Sequence, residues 1–227
     1  MITRLFSKPP ELISLHIPKT AGTSFRNILK SVYGDREVLR FDISERGIVR
    51  VNEEQYNKSK LPSVKVIHGH FTLEALENKF DLPEEYKLIT WVRDPVKRVV
   101  SNYNYLEDRL REIHEQHKGL NILSKMQRTL AEFSRAEVNR NRQFKFLKGR
   151  TLDEFDFVGI AEMFDSELIR LARTLEWPVV PEPLHQNRSS DKKREIDENL
   201  VKEIRELNEM DEQIYQKAIE IRERQLM

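Results

Sequence analysis

Three short stretches of this chain hold residues that could do chemistry together. The first is "LHIPKTAGTSF", residues 15–25, where an apolar run stops at a proline. Lysine, small and hydroxylated residues, a glycine and an apolar helical pattern follow. A strand that leaves through such a loop into a helix makes an anion site. The amides of the first helical turn have no carbonyl partners in their own helix, and the macrodipole favours negative charge there. Gly22 would let the backbone approach a ligand closely, with the small Ala21 beside it. Thr20, Thr23 and Ser24 add hydroxyl donors, and Lys19 puts a cation at the loop's mouth. The same letters also suit an ordinary strand-to-helix turn capped by Thr23 or Ser24. The nucleotide-triphosphate loop GxxxxGK[ST] is absent, because here lysine precedes the glycine and the first glycine is missing.

The second stretch is "WVRDPVKRVVSNYNYL", residues 91–106. Arg93 stands at the end of an apolar run, Pro95 suits the start of a helix, and Ser101 follows about two turns later. Arginine suits a phosphate held in a fixed geometry, although a structural Arg93–Asp94 pair explains the stretch equally well by itself. The third stretch is "VIHGHF", where His68 and His70 flank a glycine at the end of another apolar run. Period-2 alternation sends both imidazoles to one side, and a neutral imidazole can take a proton from an attacking hydroxyl. His70, farther out, is the preferred base, with His68 orienting or binding. The spacing could also offer two metal ligands, but no third stands in register, so no metal is expected.

Four apolar runs must position these groups: residues 12–17, 64–67, 87–92 and 155–160. Each is short and apolar on both faces, as parallel strands covered by helices tend to be. Helical stripes lie between them, at Phe25, Ile28, Leu29 and Val32, then from Val99 to Ile113, then from Leu168 to Leu175. Alternating strands and helices indicate an α/β fold with a largely parallel sheet. In such a sheet the loops after the first three strands share the carboxyl edge, where ligands bind. Residues 33–63 read as a polar excursion over the sheet's edge, and residues 177–194 as an irregular loop. Two terminal helices, or one bent helix, follow, with Asp211 placed to cap the second.

At 227 residues the chain is expected to form one substantial domain spanning 1–227. A net charge of only +1 argues against nucleic acid or an anionic membrane as partner, so any basic site must be local. The absence of cysteine excludes disulfides and thiolate chemistry and suits a reducing compartment. No stretch at the N-terminus is apolar enough for a signal peptide or membrane span. The chain as written is expected to be soluble and cytoplasmic. The alternative is a Golgi-lumen catalytic domain trimmed of an anchor.

Together, "HIPKTAGTS" and "RDPVKRVVSNY" resemble the 5′-phosphosulfate loop and the 3′-phosphate motif of sulfotransferases, in order and in strand-loop-helix context. The closer likeness is to carbohydrate sulfotransferases of the heparan sulfate 2-O-sulfotransferase and chondroitin type, whose histidine pair "HGH" also resembles. The later "FDFVGIAEMFD", "HQNRSS" and "LNEMDEQIYQKA" are similar to the family's fourth strand, cofactor-closing loop and terminal helix. The resemblance implies a P-loop-like three-layer fold and 3′-phosphoadenosine 5′-phosphosulfate as donor. It implies transfer of a sulfuryl group to a hydroxyl acceptor, most plausibly a glycan. Lys19 to Ser24 would hold the phosphosulfate, and Arg93 with Ser101 the 3′-phosphate. Asn187 and Ser189 would close over the nucleotide. A sulfuryl group carries less charge than a phosphoryl group, so lysine and backbone donors could replace magnesium. A nucleotide-dependent kinase and a non-catalytic nucleotide-binding relative are the alternatives. Beyond these motifs, Arg135, Arg140, Arg142, Lys145, Lys148 and Arg150 could contact an anionic acceptor or form a solvated face.

Overall fold

A computed structural model describes residues 9–116, 128–182 and 195–226. Its centre is a seven-stranded sheet in the order β4-β3-β2-β5-β1-β6-β7. The strands are β1 (Leu12–Leu15), β2 (Val38–Ile43), β3 (Val49–Val51), β4 (Glu54–Gln55), β5 (Val66–Gly69), β6 (Lys87–Val92) and β7 (Phe157–Ile160). β2, β5, β1, β6 and β7 run parallel, while β3 and β4 add an antiparallel ribbon at one edge.

Alternate residues of each strand enter two different cores, as the pleat requires. Leu12, Val66, Ile89 and Phe157 pack under α1 (Gly22–Tyr33) and α6 (Phe164–Thr174), against Phe25, Ile28, Leu29, Leu168 and Leu171. Ile13, Ile67, Leu88 and Val158 face the other way. They meet α2 (Leu73–Glu77), α5 (Arg142–Leu147) and α8 (Glu209–Leu226) through Leu73, Leu147, Ala218 and Ile221. A third cluster joins α3 (Pro95–Gln116) to α4 (Leu130–Arg135) and α7 (Glu198–Leu207) through Val96, Val99, Leu130, Phe133 and Ile204. The result is a three-layer, mostly parallel α/β fold, as the alternation of elements indicates. Among the described residues, no helix is long and apolar enough to cross a membrane.

The structure corrects the sequence reading in three places. The run at 64–67 becomes β5 shifted two residues onward, so it includes His68 and ends at Gly69. Residues 33–63 are no mere excursion, because they supply β2, β3 and β4. In "VLRFDI" only Val38 and Phe41 are buried, since β2 has a polar segment facing the carboxyl edge. That half-polar strand lacks the continuous apolar signature of its neighbours. Thirdly, Asp211 does not cap its own helix. It lies within α8, fully buried, and its carboxylate accepts from the amides of Gln143 (3.2 Å) and Phe144 (2.9 Å) at the start of α5. Asn141 answers from the other side, its Oδ1 accepting from Met210 and Asp211. The two terminal helices part at Asn208, whose side chain accepts from the Asn141 amide and donates to the Ile204 carbonyl.

Asp211 also faces Arg98, which is 1% exposed, at 3.7 Å. The Arg98 guanidinium donates to the Asn139 carbonyl. Arg98 is thus committed to the interior, tying α3 to α8. Removing one partner of such a pair strands the other charge. Asp211→Ala is therefore expected to cost about 3–5 kcal/mol in urea unfolding. A loss below about 1 kcal/mol would mean that water reaches Arg98.

Candidate active site

The strand order β2-β5-β1-β6 brings three loops side by side at the carboxyl edge. The loop after β1 carries "PKTAGTS", the end of β5 carries "HGH", and the turn after β6 carries Arg93.

The loop after β1 is wound tightly by two non-glycine residues in left-handed backbone, Lys19 (φ 73°) and Ala21 (φ 69°). Such positions cost of order 1 kcal/mol and persist where the surroundings fix them. Ala21 is the N-cap of α1, and no side chain caps the helix. The first intrahelical bond is donated by Phe25 to the Ala21 carbonyl, at 3.1 Å. The amides of Gly22 and Thr23 therefore have no helical carbonyl to bond, which is the arrangement that favours an anion. Thr23 is exposed there, whereas the Thr20 hydroxyl turns inward and donates to the Ile17 carbonyl at 2.8 Å. The side of Gly22 that lacks a Cβ is taken by the His16 ring. A methyl group there would lie 1.8 Å from His16 Nε2, so the glycine makes room for this imidazole.

Arg93 is fastened on three sides. Its backbone amide donates to Gln143 Oε1 (2.8 Å), its carbonyl accepts from Gln143 Nε2 (2.9 Å), and Nη1 donates to the Lys19 carbonyl (3.1 Å). The Glu162 carboxylate stands 3.6 Å from Nε. Lys19 and Arg93 thus converge, with the Glu162 carboxylate beside Arg93. Burial, and then the Arg93 charge, lower the Lys19 ammonium's pKa from its ordinary value. Among the described residues Lys19 has no carboxylate partner, and its Nζ rests 4.2 Å from the centre of the Tyr105 ring. Ser101, in α3, is 7% exposed.

The histidines form a stack that the sequence reading did not anticipate. His16 lies 5.0 Å from His68 and 4.5 Å from His70, ring centre to ring centre. His68 is 2% exposed and its Nδ1 shares a hydrogen bond with the Ser14 hydroxyl at 3.0 Å. Burial is the main cause that lowers it to about 3, with the nearby His70 adding and a hydrogen bond to the Gly22 backbone opposing. Burial also holds His16 well below its usual value, reinforced by His68 and His70. His70 differs. Its side chain is 30% exposed, and Nδ1 lies 2.8 Å from Asp42 Oδ1. The other Asp42 oxygen pairs with Arg40 Nε at 2.8 Å.

Asp42 and Arg40 escaped the sequence reading because β2 did. The signal available was the period-2 placement of Arg40 and Asp42 within "VLRFDI", which puts both on one face of a strand. Of the basic residues from Arg135 to Arg150, Arg142 is linked to the histidines through an aromatic ring. It stacks over Phe146, whose ring meets His70 edge-on at 6.3 Å. Arg135 and Arg150 are paired with Glu203, Glu77 and Glu154, and Lys145 donates to the Glu137 carbonyl. Trp91 and Phe71 are core residues. Asn187 and Ser189 lie outside the described residues. Among the described residues, no group of three or more His, Cys, Asp or Glu side chains is arranged to hold a metal ion.

A family model described as "Sulfotransferase family" matches residues 4–218. The chain belongs to the sulfotransferase family. Among solved structures, the chain is similar to a sulfotransferase from Alicyclobacillus acidocaldarius, at 12% identity and a TM-score of 0.52. That match covers 92% of this chain and 95% of the other. It is also similar to mouse sulfotransferase SULT7A1 complexed with PAP, at 15% identity and a TM-score of 0.39, covering 88% of this chain and 64% of that one. No curated protein matches the chain. The bacterial structure shares the fold, and the match to the family model spans both phosphate-type loops and the histidine pair.

The two buried imidazoles make this sulfotransferase-family chain sensitive to acid. Both have folded-state pKa values depressed below 6.5, so the unfolded state binds more protons as soon as the pH falls below that value. Their stabilising contribution is complete above pH 6.5 and is lost toward pH 3 for His68, at about 1.4 kcal/mol per pH unit for each group. Urea midpoints at about pH 7.5 and pH 5.5 should differ accordingly, and His68→Gln should flatten the dependence. Equal midpoints at both pH values would show that the imidazoles are not buried in neutral form.

Proposed function

We propose that this protein transfers a sulfuryl group from 3′-phosphoadenosine 5′-phosphosulfate to a hydroxyl group of a carbohydrate. The observation that carries this reading is the bond from Arg93 to the Lys19 carbonyl, which couples two phosphate-type motifs across β1 and β6. The uncapped start of α1 and the Lys19 cation, which has no carboxylate partner among the described residues, suit a donor with a phosphosulfate at one end. Arg93, held at its backbone and at Nη1, suits a 3′-phosphate at the other. Ser101 shares that role by resemblance. The carbohydrate acceptor rests on the likeness of "HGH" and the flanking motifs to the glycan enzymes.

In this reading, the loop after β1 holds the sulfuryl group for in-line attack, and Lys19 meets the charge that grows on the departing phosphate oxygen. The acceptor's O–H bond breaks as its oxygen bonds to sulfur, while the sulfur–oxygen bond to the phosphate opens. The proton goes to Nε2 of His70, which has no hydrogen-bond partner among the described residues and lies on a partly exposed ring. His68, buried and bonded to Ser14, holds the loop side of the histidine stack instead.

Adenosine 3′,5′-bisphosphate should bind tightly and ATP poorly, because ATP lacks the 3′-phosphate for Arg93. Calorimetry giving equal affinities would remove the donor assignment. Single substitutions should then separate binding from chemistry. Arg93→Ala should weaken bisphosphate binding by about 2–5 kcal/mol. Lys19→Ala should lower turnover more than affinity, since its contact strengthens in the transition state. His70→Ala should keep bisphosphate binding and lose about 10²–10⁴ in turnover, measured with a labelled-sulfate donor against a panel of glycans. An active His70→Ala enzyme would place the base elsewhere.

A further inference from the structure

We propose that Asp42 is the positioning residue for the base: it holds His70 in the tautomer that carries its proton on Nδ1 and leaves the Nε2 lone pair open, with Arg40 setting how strongly the carboxylate pulls. This inference rests on the reading of His70 as proton acceptor and names what prepares it.

The geometry leaves one arrangement. An ionised carboxylate can only accept, so a 2.8 Å contact between Asp42 Oδ1 and His70 Nδ1 requires the proton on Nδ1. The same oxygen accepts from the His70 backbone amide at 3.2 Å, so ring and main chain are fixed from one atom. The Asp42 carboxylate is ionised for a stated reason. Burial alone would raise its pKa, but the hydrogen bond and charge of His70, followed by the Arg40 charge, outweigh burial and hold it below its usual value.

The contact is built into the sheet. Arg40 pairs in register with His68 in the parallel β2–β5 ladder, so Asp42 falls opposite His70 two residues on. The amide of Ile43 donates to the His70 carbonyl at 2.9 Å, extending the ladder past the end of β5. The side-chain pair is therefore positioned by main-chain hydrogen bonds on both sides of it.

Other groups around His70 do not replace the carboxylate. His16 faces it from the end of β1, His68 lies two residues before it in β5, and Phe146 of α5 meets it edge-on with Arg142 over the Phe146 ring. Arg26 of α1 adjoins Arg40, and Glu53 binds Arg40 Nη1 at 2.6 Å. Among the described residues, Asp42 is the one carboxylate in contact with the ring. When Nε2 takes the acceptor's proton, the imidazolium charge is shared with Nδ1–H, directly against Asp42.

The test uses the free protein labelled with ¹⁵N-histidine, so it needs neither donor nor acceptor. Long-range proton–nitrogen spectra should show His70 as the Nδ1–H tautomer. Asp42→Ala, which removes the acceptor, should move the ring to the Nε2–H tautomer, while Arg40→Gln, which leaves the carboxylate in place, should keep Nδ1–H. Different outcomes from neighbouring residues are not produced by a general loosening of the strand. An Nε2–H tautomer in the wild type overturns the proposal, and so does an unchanged Nδ1–H tautomer in Asp42→Ala. If Asp42→Ala does not fold, the wild-type tautomer decides. The turnover of His70→Ala tests the base itself, so either result can fail without the other.

Discussion

Gly69 has no room for a side chain, and the His70 side of the site depends on that. A Cβ there would sit 1.8 Å from the carbonyl oxygen of Phe41, so only glycine lets the backbone of β2 close against β5 at this level. The next residue of β2 is Asp42, and the residue that follows β5 is His70. Their 2.8 Å contact is thus a consequence of main-chain approach, not of long side chains reaching toward each other. The glycine between the two histidines therefore has a packing reason. Gly22 plays a matching part on the other side of β5, where its missing Cβ admits the His16 ring.

Cations crowd the opposite side of the site, and the fold handles each differently. Two unit charges a few ångströms apart in a partly buried setting repel by several kcal/mol. Arg98 is neutralised in the interior by Asp211, and Arg93 is steadied by Glu162. Glu162 is itself bonded to the Asp94 amide and the Tyr215 hydroxyl, so it is a fixed anchor. Among the described residues, Lys19 receives a backbone bend and an aromatic face but no carboxylate. A cation–π contact is worth about 0.5–1 kcal/mol at an exposed site, far less than a desolvated ion pair with an anionic ligand. The lysine is therefore the cation that a bound anion can recruit at least cost, while Arg93 is already in place.

Much of this was legible in the sequence, and the failures share a cause. The strands β1, β5, β6 and β7 announce themselves because both their faces are covered, which makes continuous apolar runs. Lys19, Arg93, His68 and His70 follow from their positions at the ends of those runs. β2 stayed hidden because its outer half faces the site, so Arg40 and Asp42 break the apolar pattern at the place where they matter. Asp211 was recognised as a capping residue, but it caps a helix more than sixty residues earlier in the chain, which no local spacing reveals. The His16 contact was invisible for a similar reason. It depends on the space beside Gly22, and sequence records the absence of a side chain without recording what fills the gap.

The three imidazoles show how one type of side chain is divided among tasks by environment alone. His16 and His68 are pressed between the sheet and the start of α1, where burial disfavours the charged form. They remain neutral at neutral pH and serve as flat packing surfaces. His70, one step farther out, keeps access to water and gains an ionised carboxylate at Nδ1. Among the described residues, His70 is thus the one ring of the three that has both a carboxylate partner and access to water. The same side chain is a packing surface where the sheet and α1 close over it, and a polar group facing solvent where they do not.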